Sequence, residues 1–367
     1  MDRLEEALIA IQEAVELDRK HAADQPVAFN GDLAMSLNNL SLRLSNLGHR
    51  EDALAAIQEA VEFCRKLAAD RPAAFNPDLA AFLSNLSLCL SDLGHREDAL
   101  AAIQEAVEFC RKLAADRPAA FNPYLATFLS NLSVCLSDLG YQEDALAAIQ
   151  EAVEFRRKLA ADRPAAFNPY LATSLSNLSV RLSDLGHQED ALAAIQEAVE
   201  FRRKLAADRP AAFNPDLAMS LNNLSLCLSN LGHQEDALAA IQEAVEFCRK
   251  LAADRPAAFN PDLATFLSNL SVCLSDLGHQ EDALAAIQEA VEFRRKLAAD
   301  QPAAFNPDLA MSLNNLSLCL SDLGHQEDAL PPIQEAIARG TRDQYTPHRV
   351  RGGGVQLRLT KLFGGEN

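Results

Sequence analysis

The sequence predicts an all-α protein built as a solenoid of helix-turn-helix repeats with a 46-residue period. Three observations lead to this class. The segment EDALAAIQEAVEF returns at a fixed spacing along the chain. Each repeat contains two stretches whose apolar residues recur every three or four positions, as on one face of a helix. The composition is rich in Ala, Leu and Glu, with only 14 Gly and 16 Pro in 367 residues, which favours helix throughout.

The period divides the chain into seven complete repeats and one partial repeat. A pair of amphipathic helices buries its apolar stripes only against neighbouring pairs, so we expect one continuous solenoid over residues 1–338 rather than several domains. The complete repeats are 5–50, 51–96, 97–142, 143–188, 189–234, 235–280 and 281–326, and the partial repeat is 327–338.

The first helix of a repeat is expected to begin at a proline. In the second repeat Asn76 is a candidate N-cap with Pro77 at the first helical position, and Gly94 fits the left-handed residue that ends a helix. The connector DRPAAFNP, with Pro118 and Phe121 in the next repeat, is expected to stay outside the helices. The apolar stripe of this helix consists of Leu79, Leu83, Leu86, Leu90 and Leu93.

The second helix of a repeat has acidic residues at its start and basic residues towards its end, which matches the helix dipole. It runs from Glu97 to Lys112 in the third repeat. In the partial repeat Pro331 and Pro332 replace two alanines, so we expect the last helix to restart at Pro331 and to stop near Gly340. The apolar face of the second helix consists of Ala99, Leu100, Ile103, Ala106, Val107, Cys110 and Leu113.

The segment from Leu83 to Val107 resembles a tetratricopeptide repeat, with large apolar residues three apart, a small residue after the second, Gly between the helices and Ala on the second helix. LNNLSLCLSDLG, starting at Leu313, is similar to the lengthened repeat of kinesin light chains. The resemblance implies a right-handed superhelix whose first helices line a concave groove. The residues that carry it are Leu83, Leu86, Ser87, Leu90, Gly94, Ala99, Ile103 and Ala106.

The face of the first helix opposite its leucine stripe carries the candidate binding residues. Asn recurs there in each repeat, followed three residues later by Leu or Val. Because Asn both donates and accepts, we expect this row to pair with the peptide groups of an extended ligand, while the apolar row contacts its side chains. The alternative is that the Asn residues bond to neighbouring helices and the adjoining repeat partly covers the apolar row. The expected groove residues are Asn39, Asn85, Asn131, Asn177, Asn223, Asn269, Asn315, Leu42, Leu88, Val134, Val180, Leu226, Val272, Leu318, Ser84, Ser130, Ser176 and Asn222.

Charge limits the possible partners. With 33 basic and 52 acidic residues the formal net charge is -19, so nucleic acid is not an expected partner. No apolar run is long enough to span a membrane. The places of Ser84 and Leu88 supply no Lys or Arg, so we do not expect acidic C-terminal peptides to bind. An acidic rim favours a neutral or mildly basic extended segment, and it consists of Asp92, Asp138, Asp184, Asp276 and Asp322.

No catalytic residue, metal site or cofactor is predicted. Ser91, Asp92 and His95 lie along a helix end and turn, without a nucleophile elbow or an oxyanion loop, so they do not indicate a hydrolase. The histidine that recurs at the turn between the two helices is expected to be solvated rather than to bind metal.

The eight cysteines occupy two places in the repeat. Cys64 corresponds to Arg156 in another repeat, and Cys89 corresponds to Arg181. Because arginine is accepted at both places, we expect both to be incompletely buried. No CxxC pair exists, so neither a zinc site nor a disulfide framework is predicted, and reduced thiols indicate the cytoplasm.

These features together predict a cytoplasmic protein-interaction scaffold that is not an enzyme. The chain opens at Glu5 on the second helix of a repeat, without the first helix that would normally cover it. We expect the apolar edge left bare to dimerise or to fray, or the sequence to be a fragment of a longer protein. The alternative function is therefore the sensor or recruitment arm of a larger signalling protein with an upstream NTPase or effector domain. Residues 339–367 form a basic tail that we expect to be disordered.

Overall fold

A computed structural model describes residues 2–339 of the chain, and every element in that range is an α-helix. The all-α class and the repeated helical hairpins are therefore confirmed. We call the even-numbered helices, which carry the leucine stripe, first-type helices and the odd-numbered ones second-type helices. The helices are α1 (Asp2–Asp24), α2 (Pro26–Asn46), α3 (Arg50–Asp70), α4 (Pro72–Asp92), α5 (Arg96–Asp116), α6 (Pro118–Asp138), α7 (Gln142–Asp162), α8 (Pro164–Asp184), α9 (Gln188–Asp208), α10 (Pro210–Asn230), α11 (Gln234–Asp254), α12 (Pro256–Asp276), α13 (Gln280–Asp300), α14 (Pro302–Asp322) and α15 (Gln326–Arg339).

The helices fall into two compact blocks. The N-terminal block contains α1 to α8 and ends at Leu185, and the C-terminal block begins at Gly186 and contains α9 to α15. Within each block every helix packs against the helices before and after it in sequence. Successive first-type helices also touch each other, whereas no two second-type helices in the described part of either block approach as closely. First-type helices therefore form the inner side of each block, and second-type helices form the outer side.

The core of each block is built from the predicted apolar stripes. Leu83 on α4 and Ile103 on α5 are fully buried, and the small side chain of Ala106 is buried beside them. Burial of a Leu or Ile side chain contributes roughly 1.5–3 kcal/mol, so the repeated stripes supply most of the stability of the stack. In the stripe of α4, the buried residues are Leu79, Leu83 and Leu90, and the half-buried ones are Leu86 and Leu93.

The predicted start of the first helices at Asn76 is wrong, because α4 begins at Pro72. Pro72 occupies the first helical position, where its missing N–H costs no helical hydrogen bond. The predicted connector therefore joins the helix, and Pro77 lies inside it. The bond that Pro77 cannot donate is lost in the second turn, close to the helix start, where the helix tolerates it. In the next repeat Pro118 likewise begins α6, and Phe121 is half-buried within that helix.

A glycine closes the first-type helices, as predicted. Gly94 has a φ of +81°, a left-handed conformation that costs residues with a Cβ about 1–2 kcal/mol. The N–H of Gly94 donates to the carbonyl of Ser91 at 2.9 Å, and the N–H of His95 donates to the carbonyl of Leu90 at 2.9 Å. These two bonds satisfy carbonyl groups that have no partner within the helix and fix the turn into α5.

The predicted restart of the last helix at Pro331 is also wrong, because α15 runs without interruption through Pro331 and Pro332. Pro332 is buried at the place that Ala102 occupies in α5. Packing therefore holds this segment helical although two backbone N–H donors are missing. The described part of the helix reaches Arg339, and the predicted stop near Gly340 lies outside the described residues. Apart from Arg339, the predicted disordered tail lies outside the described residues.

Candidate functional site

One stripe on the side of each first-type helix opposite its leucines carries the predicted binding residues, and we call it the inner face. In α4 the inner face consists of Asp78, Ala81, Asn85, Leu88 and Asp92, whose spacings of three and four place them on one side of a helix. The N-terminal block presents this stripe on α2, α4, α6 and α8, and the C-terminal block presents it on α10, α12 and α14.

The apolar row of the inner face is largely open to solvent. Leu88 is 46% exposed and Val134 is 40% exposed, whereas Val180 and Leu318 are half-buried. Single exposed apolar residues are common on protein surfaces, but their repetition at one place on successive helices makes this row a candidate contact surface. The exposed members are Leu42, Leu88 and Val134 in the N-terminal block and Leu226 and Val272 in the C-terminal block.

The asparagine row is half-buried apart from Asn39, which is exposed. Nδ2 of Asn85 donates to Oδ1 of Asn38 on the preceding first-type helix at 2.8 Å, and Nδ2 of Asn269 donates to Oδ1 of Asn222 at 2.7 Å. Each bond uses one of the two N–H donors of the amide. The second donor and Oδ1 of Asn85 make no other hydrogen bond within the described residues. Bonding to a neighbouring helix and contact with a ligand are therefore compatible roles for this row.

Four of the predicted groove residues lie beneath the asparagine row. Ser84, Ser130, Ser176 and Asn222 are all buried. Oγ of Ser84 accepts a hydrogen bond from Nδ2 of Asn131 at 3.2 Å. Ser130 and Ser176 donate to the carbonyl four residues earlier in their own helices. These residues do not reach the surface; Ser84 and Asn222 support the asparagine row from below.

The prediction that the place shared by Cys64 and Arg156 is incompletely buried is wrong. Cys64 is buried, and Arg156 on α7 is only 5% exposed. Nη1 of Arg156 donates to the carbonyl of Tyr170 at 2.7 Å, and Nη2 donates to Oγ1 of Thr127 at 3.2 Å. Because burial disfavours the charged form, it lowers the pKa of Arg156 to about 10. These hydrogen bonds are what makes a buried guanidinium acceptable at this place.

A second position compensates for the change from cysteine to arginine. Phe82 comes eighteen residues after Cys64, whereas Ser174 comes eighteen residues after Arg156, and both are buried. Some repeats therefore combine the short cysteine with the large phenylalanine ring, and others combine the long arginine with the small serine hydroxyl. Comparison of the repeats at both places would have revealed this. The Cys–Phe pairs are Cys64–Phe82, Cys110–Phe128 and Cys248–Phe266, and the Arg–Ser pairs are Arg156–Ser174, Arg202–Ser220 and Arg294–Ser312.

Two tyrosines extend the inner face at the N-terminal end of its helices, and the predicted groove did not include them. Tyr124 on α6 and Tyr170 on α8 occupy the place of Asp78, and both are 56% exposed. The guanidinium carbon of Arg156 lies 5.4 Å from the ring centroid of Tyr170, within the range of a cation–π contact. The signal in the sequence was the replacement of a recurrent aspartate by tyrosine in two repeats.

The cysteines are free thiols and all eight are buried. Burial raises the pKa of Cys64 to about 12 and that of Cys110 to about 11, which leaves little reactive thiolate near neutral pH. At the second place shared with arginine, Arg43 is exposed and Arg181 is half-buried. Within the described residues, no group of His, Cys, Asp and Glu is arranged to hold a metal ion. No helix among them has the length and apolar character needed to cross a membrane.

The family of the chain follows from comparison with family models. The tetratricopeptide repeat model matches residues 33–72, 79–118, 125–164, 171–210, 217–256 and 263–303. The chain belongs to the tetratricopeptide repeat family. Each matched range covers most of a first-type helix and of the second-type helix that follows it in sequence. The model of anaphase-promoting complex subunit 5 matches residues 1–39 and 299–346. Comparison with curated proteins found no match.

Several solved structures are similar to this tetratricopeptide repeat chain. BtubC (BKLC) from P. vanneervenii is 21% identical, with a TM-score of 0.55, and the match covers 71% of this chain and 96% of BtubC. A putative kinesin light chain from Podosopora anserina with nearly identical TPR-like repeats is 15% identical, with a TM-score of 0.45 and coverage of 59% and 96%. A Signal Transduction ATPase with Numerous Domains from Pyrococcus horikoshii, which has a tetratricopeptide repeat sensor, is 14% identical, with a TM-score of 0.58 and coverage of 92% and 47%.

Proposed function

We propose that this tetratricopeptide repeat chain is a scaffold that binds an extended protein segment along its inner face. The fold is typical of protein-interaction scaffolds. The observation that carries the proposal is the combination, on one face, of exposed apolar side chains with amides whose hydrogen-bonding capacity is only partly used. An extended segment presents side chains and peptide groups in alternation, which is the pattern that such a face recognises.

The asparagine row supplies contacts to the peptide groups of the segment. The bond from Asn131 to Ser84 fixes the orientation of the amide before the ligand arrives, which reduces the entropy lost on binding. One hydrogen bond contributes a net of roughly 0.5–1.5 kcal/mol, so useful affinity requires several repeats at once. Each first-type helix adds one apolar contact, because Leu88 and its equivalents lie one turn from the asparagine.

Charge determines the chemistry of the partner. Asp92 and Asp138 are exposed at the C-terminal end of the inner face, so a neutral or mildly basic segment fits better than an acidic one. The net charge of -19 disfavours nucleic acid. The family is generally non-catalytic, and we propose a binding role without catalysis. We place the protein in the cytoplasm because its thiols are unpaired.

Peptide selection tests this proposal. Nonapeptides displayed on phage are selected on the immobilised full-length chain, and the retained peptides are titrated against variants. The triple variant Asn85→Ala, Asn131→Ala and Asn177→Ala is expected to bind about tenfold more weakly or worse, since it loses three amide contacts. Gln150→Ala, an exposed change on α7, is the matched control and should bind as the wild type does. Unchanged affinity of a triple variant that melts like the wild type would show that the asparagine row does not bind the segment.

A second candidate function is the sensor arm of a larger signalling protein. Its support is the match to the Pyrococcus horikoshii protein, which spans 92% of this chain but 47% of that protein. This candidate predicts an NTPase domain in the same reading frame upstream of Met1. Sequencing of the transcript would find that domain or contradict the candidate.

A further inference from the structure

We propose that the inner face of α6 and α8 contains one subsite for a carboxylate of the bound segment, formed by Thr127, Tyr170 and the guanidinium of Arg156 beneath them. The subsite depends on the proposed function, because it lies on the same face as the asparagine and apolar rows. It assigns one acidic position to a segment that is otherwise neutral or mildly basic. A cation was not expected on this wall, since the places of Ser84 and Leu88 supply no Lys or Arg; Arg156 reaches it from a second-type helix.

The charge of Arg156 is buried without a counter-charge. Its hydrogen bonds go to the carbonyl of Tyr170 and the hydroxyl of Thr127, which are both neutral. Among the described residues, no carboxylate lies within ion-pair distance of this guanidinium. Removal of a cation from water is costly unless an anion pairs with it, and the contact with the Tyr170 ring offsets only part of that cost. An anion that arrives with the ligand would therefore be favoured here.

The other two buried arginines at this place have a carboxylate nearby. Nη1 of Arg202 lies 3.7 Å from Oδ2 of Asp216. Burial lowers the pKa of Arg294, and the charge of Asp308 opposes that shift. Tyr170 stands where Asp216 and Asp308 stand in those repeats. A ligand carboxylate beside Arg156 would thus supply the charge that the chain itself supplies in the other two cases.

The surroundings of Arg156 have also lost negative charge. Arg117 and Arg163, just before α6 and α8, are exposed. Elsewhere an arginine at this place is followed seven residues later by an aspartate such as Asp78, but Arg117 and Arg163 are followed by Tyr124 and Tyr170. The aspartate that precedes each of these arginines recurs in every repeat and does not distinguish this region. The N-terminal ends of α6 and α8 are therefore less acidic than those of the first-type helices that keep the aspartate.

The guanidinium of Arg156 lies one side chain below the surface. Thr127 is exposed on the inner face, and its Oγ1 accepts a hydrogen bond from Nη2 of Arg156. Oγ1 of Thr127 also donates to the carbonyl of Pro123 at 3.1 Å, so its proton is already used. The hydroxyl of the exposed Tyr170 is thus the donor for the carboxylate, and Arg156 attracts it through a region of low dielectric.

Two display formats and four full-length variants test the subsite. One library displays nonapeptides within a carrier loop, where they have no free C-terminal carboxylate. The other displays them at the C-terminus of the carrier, and both libraries are selected on the wild-type chain. Tyr170→Asp restores the aspartate of the other repeats, and Arg156→Cys with Ser174→Phe installs the Cys–Phe pair. Gln150→Asp is the matched control, because it adds the same charge at an exposed position of α7 outside the inner face. Asp308→Tyr removes the carboxylate from beside Arg294 and should create a second subsite.

We expect wild-type peptides to share one acidic group at a fixed distance from their apolar positions. Enrichment in the loop format assigns this group to Asp or Glu, and enrichment confined to the C-terminal format assigns it to the terminal carboxylate. Tyr170→Asp and the Arg156→Cys, Ser174→Phe variant should each bind these peptides about tenfold more weakly, and Gln150→Asp should change binding by less than about threefold. With Asp308→Tyr, acidic peptides should be retained more strongly.

Three outcomes would overturn the subsite. Apolar peptides without an acidic preference would refute it and leave the proposed function intact. Equal enrichment of acidic peptides on the wild type and on Tyr170→Asp would also refute the subsite and leave the proposed function intact. Because Tyr170 lies at the surface, this variant gives an answer even if the Arg156→Cys, Ser174→Phe variant does not fold. A wild-type chain that retains no peptide would refute both proposals.

Discussion

Two alternative pairs of side chains fill the same place in the core of successive repeats. In the packing of α13 against α14 the pair is Arg294 and Ser312, and the guanidinium donates to the serine hydroxyl. In the packing of α11 against α12 the pair is Cys248 and Phe266, which are both buried. The backbone carbonyl of Asp308 accepts a further hydrogen bond from Arg294 at 2.9 Å. The two pairs fill similar space with different chemistry, so neither member is exchangeable alone.

We predict strong energetic coupling within these pairs. Ser312→Phe alone forces a ring against Arg294 and should cost roughly 1–3 kcal/mol. Arg294→Cys alone leaves a void and acceptors without a donor, which should cost a similar amount. The double variant recreates the Cys–Phe pair, and its loss of stability should fall below the sum of the single losses by roughly 1–3 kcal/mol. Urea unfolding measures all three free energies. Additive losses, such as those expected when Arg294→Cys is combined with Gln150→Ala on an exposed face of α7, would contradict the coupling.

At the scale of the helix, the number, type and apolar stripes of the elements could be predicted from periodicity, but the helix starts could not. Pro72 and Pro77 both fit the first position of a helix, and local rules do not choose between them. Phe75 lies between the two prolines and packs half-buried against the core. The guanidinium carbon of Arg71 also lies 4.8 Å from the centroid of the Phe75 ring. These tertiary contacts favour the earlier start, and a local pattern does not contain them.

The two interior prolines of α15 yield a prediction about that helix. Pro331→Ala with Pro332→Ala restores two backbone N–H donors and the alanines of the other repeats. An interior proline costs a helix about 3 kcal/mol relative to alanine, so the double variant should stabilise α15. Hydrogen exchange of the α15 amides, followed by mass spectrometry, should become slower.

Pro118→Ala is the control for this change, because Pro118 occupies the first position of α6 and its missing N–H costs no hydrogen bond. Its effect on stability should stay below about 1 kcal/mol. Exchange in α15 that is as fast in the double variant as in the wild type would show that packing already offsets both prolines.

For the whole molecule, charge separates the two sides of each block. On the outer side Nη2 of Arg111 lies 2.5 Å from Oε2 of Glu151 in the next repeat, and Arg249 pairs with Glu289 in the same way. Such exposed pairs contribute little to stability, about 0–1 kcal/mol each, but they join charged groups of successive outer helices. The inner side is left with amides, apolar side chains and the acidic rim. This distribution supports the proposal that a protein segment binds along the inner face.

The sequence could predict only the part of the candidate site that lies on a single helix. The rows of Asn85 and Leu88 follow from the periodicity of a single first-type helix, and the structure places both rows at least partly in solvent. The subsite below Thr127 could not be found in this way, because Arg156 comes from another helix, 29 residues further along the chain. Contacts between elements depend on how the helices pack, and a helical wheel does not represent packing.

Photo-crosslinking from defined positions measures most directly which face binds the segment. p-Benzoylphenylalanine replaces Leu88 on the inner face in one variant and Gln104, exposed on the outer helix α5, in another. A peptide retained in the selection is added, and the samples are irradiated. We predict that the peptide crosslinks to the variant at position 88 and not to the variant at position 104. Crosslinking at position 104 alone, or equally at both positions, would contradict binding along the inner face.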